Sequence, residues 1–263
     1  MFFNYKLEFN LNMFYISTLP FLSINFNLRL SKNIKLYSKI IALNRTKGPK
    51  TKTAPELSEF QKEVIFGLML GDLSAEKTSL NGNTRLRFFM SIKNKDYMNH
   101  LYSIFKDYIK TPPKEKQRKK INKLTGLLQT DIWCSTLRFV LFNWVMTDFY
   151  ITKLNKNIKI IPIDAEKKLT AVSLAYWIMD DGSFFKTKEQ IILCTDSYSK
   201  ENVLRLINIL TNKFNLSCGL IKQLNKNRKI SYRIRINKSS LDTLKFLVKP
   251  YIIPSMSYKL GEI

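Results

Sequence analysis

From Ser58 onward, hydrophobic and polar positions follow regular periods. Phe60, Val64, Gly67, Leu68 and Gly71 fall on one helical stripe that ends at Gly71-Asp72. Thr84 to Lys93 then alternates. Leu86, Phe88, Met90 and Ile92 point one way, and Arg85, Arg87, Phe89, Ser91 and Lys93 the other, which predicts a half-buried strand with a cationic second face. Asp96 to Ile109 has Tyr97, Leu101, Ile104 and Phe105 at helical spacing, and Pro112-Pro113 stops it. A basic loop, Lys114 to Lys123, leads to a second strand near Leu127 to Trp133 and a helix from about Thr136 to Asp148.

The second half repeats this order. Leu169 to Met179 is an apolar helix that ends at Asp180-Asp181-Gly182. Gln190 to Thr195 reads as a strand and Lys200 to Phe214 as a helix. Ser231 to Asn237 alternates, with Tyr232, Ile234 and Ile236 on one side and Ser231, Arg233, Arg235 and Asn237 on the other. A last helix, Ser240 to Val248, leads into Lys249-Pro250. Two unrelated α/β modules would also give two sets of elements. One order used twice points instead to an internal repeat and a pseudo-two-fold monomer. The organisation read from this is an N-terminal extension and linker over 1–55, poorly structured, a first repeat over 56–155 and a second over 156–263. Residues 1–50 contain a single acid, Glu8, and no clean period, and they precede a Lys/Thr/Pro-rich linker.

Composition sharpens the picture. Of the 263 residues, 44 are Lys or Arg against 20 Asp or Glu, for a formal charge of +24. Such a charge repels itself in a free monomer and fits a polyanionic partner. Nucleic acid comes first, because neutralising phosphates releases counterions; an anionic membrane surface comes second. AT-rich coding accounts for part of the lysine excess but not for the scarcity of acids. Cys134, Cys194 and Cys218 form no C-x-x-C pair, which argues against a zinc ribbon or disulfide framework. A single histidine, His100, argues against nucleases built on several. Met13 to Phe26, broken by Pro20 and Asn25, falls short of the roughly 20 apolar residues of a membrane span.

The acids at the helix ends carry the candidate chemistry. Ile65-Phe66-Gly67-Leu68-Met69-Leu70-Gly71-Asp72 and Leu174-Ala175-Tyr176-Trp177-Ile178-Met179-Asp180-Asp181-Gly182 each finish an apolar helix with a carboxylate. A helix C-terminus is partially negative, so acids are disfavoured there unless a cation reverses the cost. Asp-Gly also ends helices simply by turning, but two such ends at one place in two repeats ask for more. If the helices pack side by side, with Gly67, Gly71 and Ala175 allowing close approach, Asp72 and Asp181 meet. They could then hold Mg²⁺ against a phosphate on each strand of a duplex.

These two segments resemble the paired motifs of the LAGLIDADG homing endonucleases. The second matches at Leu174, Ala175, Asp181 and Gly182, and the first at Gly67, Leu68 and Asp72. Leu174 to Gly182 is especially similar to the branch that includes the yeast mitochondrial omega-intron endonuclease. So are Ile92 to Met98 and the tail from Val248 to Pro254 with Tyr258-Lys259-Leu260. The resemblance covers about residues 56–260. It implies an α+β fold of two pseudo-symmetric αββαββα repeats, with saddle-shaped antiparallel sheets over DNA. It makes Asp72 and Asp181 the catalytic metal ligands for Mg²⁺ or Mn²⁺, and Lys159 and Lys259 the basic residues of the two centres. Asp180 is then a neighbour, although the sequence alone leaves the reverse assignment open. The tail departs from the family in reading Lys-Leu-Gly, and the first motif in having Gly71 and Leu73.

Alternating strands fit a ribbon in the major groove, where Arg pairs with guanine in bidentate fashion and Asn or Gln with adenine. The candidate contacts are Arg85, Arg87, Lys93, Arg233 and Arg235, with Gln129 and Asn237 as adenine readers. The loops Lys114 to Lys123 and Lys222 to Lys229 are expected to hold phosphates. The leading expectation is a monomeric, site-specific double-strand DNA endonuclease of an intron, acting on a long duplex target in a mitochondrion or another AT-rich organelle. The alternatives are an RNA-binding intron maturase on the same fold, with intron RNA as partner, and a basic DNA-binding module without chemistry. A membrane partner is not expected, because the basic residues lie on strands and loops rather than along one amphipathic helix.

Overall fold

The computed structural model describes residues 54–79, 81–121, 126–154, 156–224 and 230–262. The N-terminal extension read over 1–55 lies almost wholly outside the described residues, as do the ends of both basic loops at 122–123 and 225–229.

Helix α1 (Glu59–Leu70) starts at a capping box. Ser58 Oγ accepts the Gln61 N–H at 3.2 Å and Gln61 Oε1 accepts the Ser58 N–H at 3.0 Å. Every residue from Val64 to Leu70 is buried, as in a helix enclosed on all sides. Its counterpart α5 (Ala171–Asp181) is capped by Thr170 Oγ1, which accepts from the Ser173 N–H at 3.2 Å, and it buries Val172 to Met179. The two helices lie against each other and run the same way. Ser173 Oγ donates to the Glu63 carbonyl near their starts (2.9 Å), and Gly71 meets Asp180 at their ends.

A four-stranded antiparallel sheet follows each helix. In the first, β1 (Ser74–Glu76), β2 (Arg85–Ser91), β3 (Lys114–Ile121) and β4 (Leu128–Ser135) lie in the order β1-β2-β4-β3. In the second, β7 (Gly182–Phe185), β8 (Gln190–Leu193), β9 (Cys218–Leu224) and β10 (Ile230–Ile236) lie in the order β7-β8-β10-β9. Helices α2 (Lys95–Phe105) and α3 (Asn143–Phe149) complete the first repeat, and α6 (Lys200–Phe214) and α7 (Leu241–Val248) the second. Between the repeats come a hairpin, β5 (Tyr150–Lys153) with β6 (Lys156–Lys159), and the short α4 (Ala165–Lys168). The αββαββα order appears twice, as expected. The hydrophobic faces of both sheets (Leu86, Phe88 and Ile132; Ile191, Leu193, Ile234 and Ile236) close on one core shared with α1 and α5. Among the described residues, no helix is long and apolar enough to cross a membrane.

Three local expectations are corrected. Lys114 to Ile121 is not a loop but strand β3, paired with β4 from Lys114↔Trp133 onward. It is exposed from Lys114 through Lys119, so it buries neither face and shows no alternation. In the second basic segment, Lys222, Gln223 and Leu224 belong to β9. The helix expected from Thr136 begins later: Phe139 bridges back to Thr84, a 3₁₀ turn covers Val140–Phe142, and α3 starts at Asn143.

Candidate functional site

The ends of α1 and α5 bring Asp72, Asp180 and Asp181 within reach of one another's charge. A Cβ on Gly67 would run into the Ser173 carbonyl, and one on Gly71 into the Asp180 carboxylate, so the helices meet at glycine contact distance. Asp72 follows the end of α1 and is exposed; Asp181 is the last residue of α5 and is half-buried. Asp180 Oδ2 accepts the Asp72 N–H at 2.6 Å.

Two lysines close the site from either side. Lys159, at the end of β6, donates from Nζ to the Gly71 carbonyl at 2.5 Å and the Leu73 carbonyl at 3.1 Å. Lys259, in the C-terminal 3₁₀ segment Pro254–Leu260, donates to the Gly182 carbonyl at 2.6 Å. Leu73 and Gly182 are the residues directly after Asp72 and Asp181, so the two contacts correspond under the repeat. Each ammonium also satisfies a carbonyl at a helix end, where cations are favoured.

The electrostatics follow from crowding. Burial, then the Asp181 and Asp72 charges, pushes Asp180 up to about 8. Burial, then the Asp72 charge, pushes Asp181 up to about 7, against the pull of Lys159 and Lys259. Burial brings Lys159 down to about 8 in spite of the three nearby acids, and lowers Lys259 in the same way. Such values mark a place where carboxylates and amines are forced together out of water. Among the described residues, no three His, Cys, Asp or Glu side chains form an ion-holding group by themselves. A cation here would therefore draw on the two hard carboxylates and complete its shell with water or phosphate oxygens, which is how Mg²⁺ is usually held.

The open faces of the sheets carry the other expected residues in varied states. Arg87 on β2 is exposed, whereas Arg85 is drawn into an ion pair with Glu76 across the β1–β2 ladder. Lys93 leaves the strand on a 3₁₀ turn (Ile92–Asn94) and is exposed beside the sheet. Gln129 on β4 borders a groove of about 620 Å³ that is also lined by Phe89, Lys116, Arg118, Lys119 and Asp131. On β10, the Arg233 guanidinium grips Asp196 with both arms (Nε–Oδ1 2.8 Å, Nη2–Oδ2 2.5 Å) and holds that carboxyl below its usual range. Arg235 is half-buried and lies over Gly219, where a Cβ would strike its guanidinium. Asn237 sits one residue beyond β10, opposite Ser217 as the β9–β10 pairing continues; its N–H donates to the Ser217 carbonyl at 2.9 Å and its Nδ2 to Ser217 Oγ at 2.8 Å. Ser231 is buried (3% exposed) rather than open.

Sequence reasoning missed two well-built contacts. Arg118 makes a two-armed pair with Asp131 (2.6 and 2.7 Å), and Asp131 is only 4% exposed. An acid beside the apolar run Ile132-Trp133-Cys134 of β4 was the available signal. It missed Tyr198 too, whose buried hydroxyl reaches the Met69 and Leu70 carbonyls at 3.3 and 3.4 Å. Nothing local distinguishes that tyrosine.

Known proteins place this arrangement. Residues 62–244 match the LAGLIDADG DNA endonuclease family. The chain is 37% identical over 210 residues to probable intron-encoded endonuclease 1 of Wickerhamomyces canadensis, covering 78% of this chain and 85% of that protein. It is 34% identical over 205 residues to the cytochrome b mRNA maturase bI2 of Saccharomyces cerevisiae, covering 76% of this chain and 47%, about half, of that longer protein. Among solved structures it resembles the homing endonuclease I-WcaI bound to its DNA recognition sequence, with a TM-score of 0.69 and 34% identity over 81% of this chain and 94% of that one. With a family match over most of the chain and a relative this similar over most of its length, the chain belongs to the LAGLIDADG DNA endonuclease family.

Proposed function

We propose that the chain is a site-specific double-strand DNA endonuclease of the intron-homing kind, working as a monomer with one cutting centre per repeat. The observation that carries this reading is the meeting of Asp72 and Asp181 at the ends of two touching helices, with Lys159 and Lys259 at matched positions beside them. Asp72 and Asp181 would hold the divalent ion, Mg²⁺ or Mn²⁺. Bound there, such an ion supplies an activated water and stabilises the leaving 3′ oxygen of in-line displacement. Lys159 and Lys259 counter phosphate charge beside each acid, and the lowered Lys159 ammonium is suited to exchange a proton near neutral pH. Arg87, Arg85, Gln129, Arg233 and Arg235 would present donors to the major groove from the open sheet faces. Lys93 and Asn237 lie just past the ends of their strands, where they suit phosphate contacts better than base reading. The mitochondrion, or another AT-rich organelle, is the proposed location, from composition and from likeness to a protein named for cytochrome b mRNA.

The same likeness favours a second reading, an RNA-binding maturase that aids splicing. One experiment separates the two. Duplex spanning the intron insertion site, joined without the intron, is incubated with Mg²⁺ or EDTA and with wild type, Asp72→Asn or Asp181→Asn. Metal-dependent double-strand cutting lost in both variants supports the endonuclease. Tight binding without cutting by wild type moves the weight to the maturase, to be tested on intron RNA.

A further inference from the structure

We infer that Asp180 is a positioning residue that sets the Asp72 centre from the opposite repeat, and that the two centres are for this reason built differently. The inference rests on the two-centre endonuclease reading and extends it. Asp72 lies past the end of α1, where its backbone has left the helical ladder, and its N–H is taken by Asp180 Oδ2 at 2.6 Å. A hydrogen bond of that length to a carboxyl oxygen is short and directional. It fixes the peptide that carries the Asp72 side chain, with no contact to that side chain needed.

The reciprocal bond cannot exist. The residue that corresponds to Asp180 in the first motif is Gly71, which has no side chain to offer. The asymmetry is also sterically required: a Cβ at Gly71 would occupy the space of the Asp180 carboxylate. A second contact runs in the same direction. The Tyr198 hydroxyl, from the second repeat, reaches the Met69 and Leu70 carbonyls at the end of α1. The end of α1 is thus held by donor and acceptor groups of the second repeat. With its Oδ2 engaged in this bond, Asp180 is assigned the positioning role and Asp181 the cation.

The test follows each DNA strand separately. Asp72→Asn first identifies the strand that the Asp72 centre cuts. Asp180→Ala removes the acceptor, Asp180→Asn keeps one through its amide oxygen, and Gly71→Ala displaces the carboxylate while leaving Asp180 in place. Misplacement of one reacting group is expected to slow that strand by about 10-fold or more in Asp180→Ala and Gly71→Ala, at saturating DNA and metal. The other strand and DNA affinity should change by no more than about 2-fold, with Asp180→Asn restoring most of the lost rate. Amide hydrogen exchange at Asp72 reads the contact without activity: protected in wild type and Asp180→Asn, fast in Asp180→Ala. Equal loss on both strands, or an Asp180→Asn as impaired as Asp180→Ala, would overturn the inference and make the carboxylate charge the working feature. An Asp72 amide that exchanges equally in wild type and Asp180→Ala would overturn it as well. If wild type cuts neither strand, the endonuclease reading fails, and the exchange experiment still decides the positioning role.

Discussion

The Ser173 carbonyl occupies the space that a Cβ on Gly67 would need. This contact sets the distance between α1 and α5, and through it the separation of Asp72 and Asp181. Both partners are backbone-anchored inside buried helices, so neither can turn aside. Gly67→Ala should therefore destabilise the fold by about 1–3 kcal/mol, as overpacking in a close-packed core does. A urea midpoint unchanged from wild type would show that the helices can part without cost.

Stability should depend on pH in a stated direction. Asp180 and Asp181 titrate near 8 and 7 in the folded chain, against 3.8 for a free carboxyl. Between those limits the folded chain binds more protons than the unfolded one, so metal-free stability falls as pH rises from about 4 to 8. Lys159, brought down to about 8, acts above that point: there the unfolded chain holds the extra proton, and stability recovers toward pH 10. A Tm series in EDTA should decline from pH 5 to pH 8. Adding Mg²⁺ or Mn²⁺ at pH 8 should raise Tm, because an ion bound to the folded state stabilises it by mass action. A rising Tm across that interval would sink this account.

Lys159 and Lys259 make corresponding bonds to the carbonyls after the two acids. Lys159→Met and Lys259→Met should each slow chiefly one strand, and a different strand for the two variants, by about 10²-fold, the scale of a lost electrostatic or proton-transfer group. Strand-specific labelling reads this directly. If both variants impaired the same strand, the lysines would not be partners of separate centres.

Arg118 and Arg233 are each gripped by a carboxylate, Asp131 and Asp196, and so present their remaining donors in a fixed orientation. Removing either arginine should lower discrimination at particular base pairs by about 1–3 kcal/mol. Lys119→Ala should instead weaken all sequences alike and reduce the salt dependence of binding, as loss of a phosphate contact does. Binding profiles over a singly substituted target distinguish the two; matching shifts for Arg118→Ala and Lys119→Ala would erase the division.

Much of this molecule is written locally in its sequence. The alternation of Leu86, Phe88 and Met90 against Arg85, Arg87 and Phe89 is enough to predict a strand and its buried face, because a pleat presents successive side chains to opposite sides. The apolar runs that lead into Asp72 and Asp181, and their recurrence, are enough for a repeat and a pair of acids. The tertiary structure alone decided the rest. Strand β3 has no period because both its faces meet solvent, and only its pairing with β4 makes it a strand. Asp131 and Asp196 are ordinary acids until folding brings Arg118 and Arg233 to them. Asp180 stands beside Asp181 in the chain, yet its bond is to Asp72, 108 residues away. Periodicity reports which side of an element is buried. Which donor meets which acceptor across the interface depends on how closely two helices approach, and here Gly67 and Gly71 allow that approach without naming the partners it brings together.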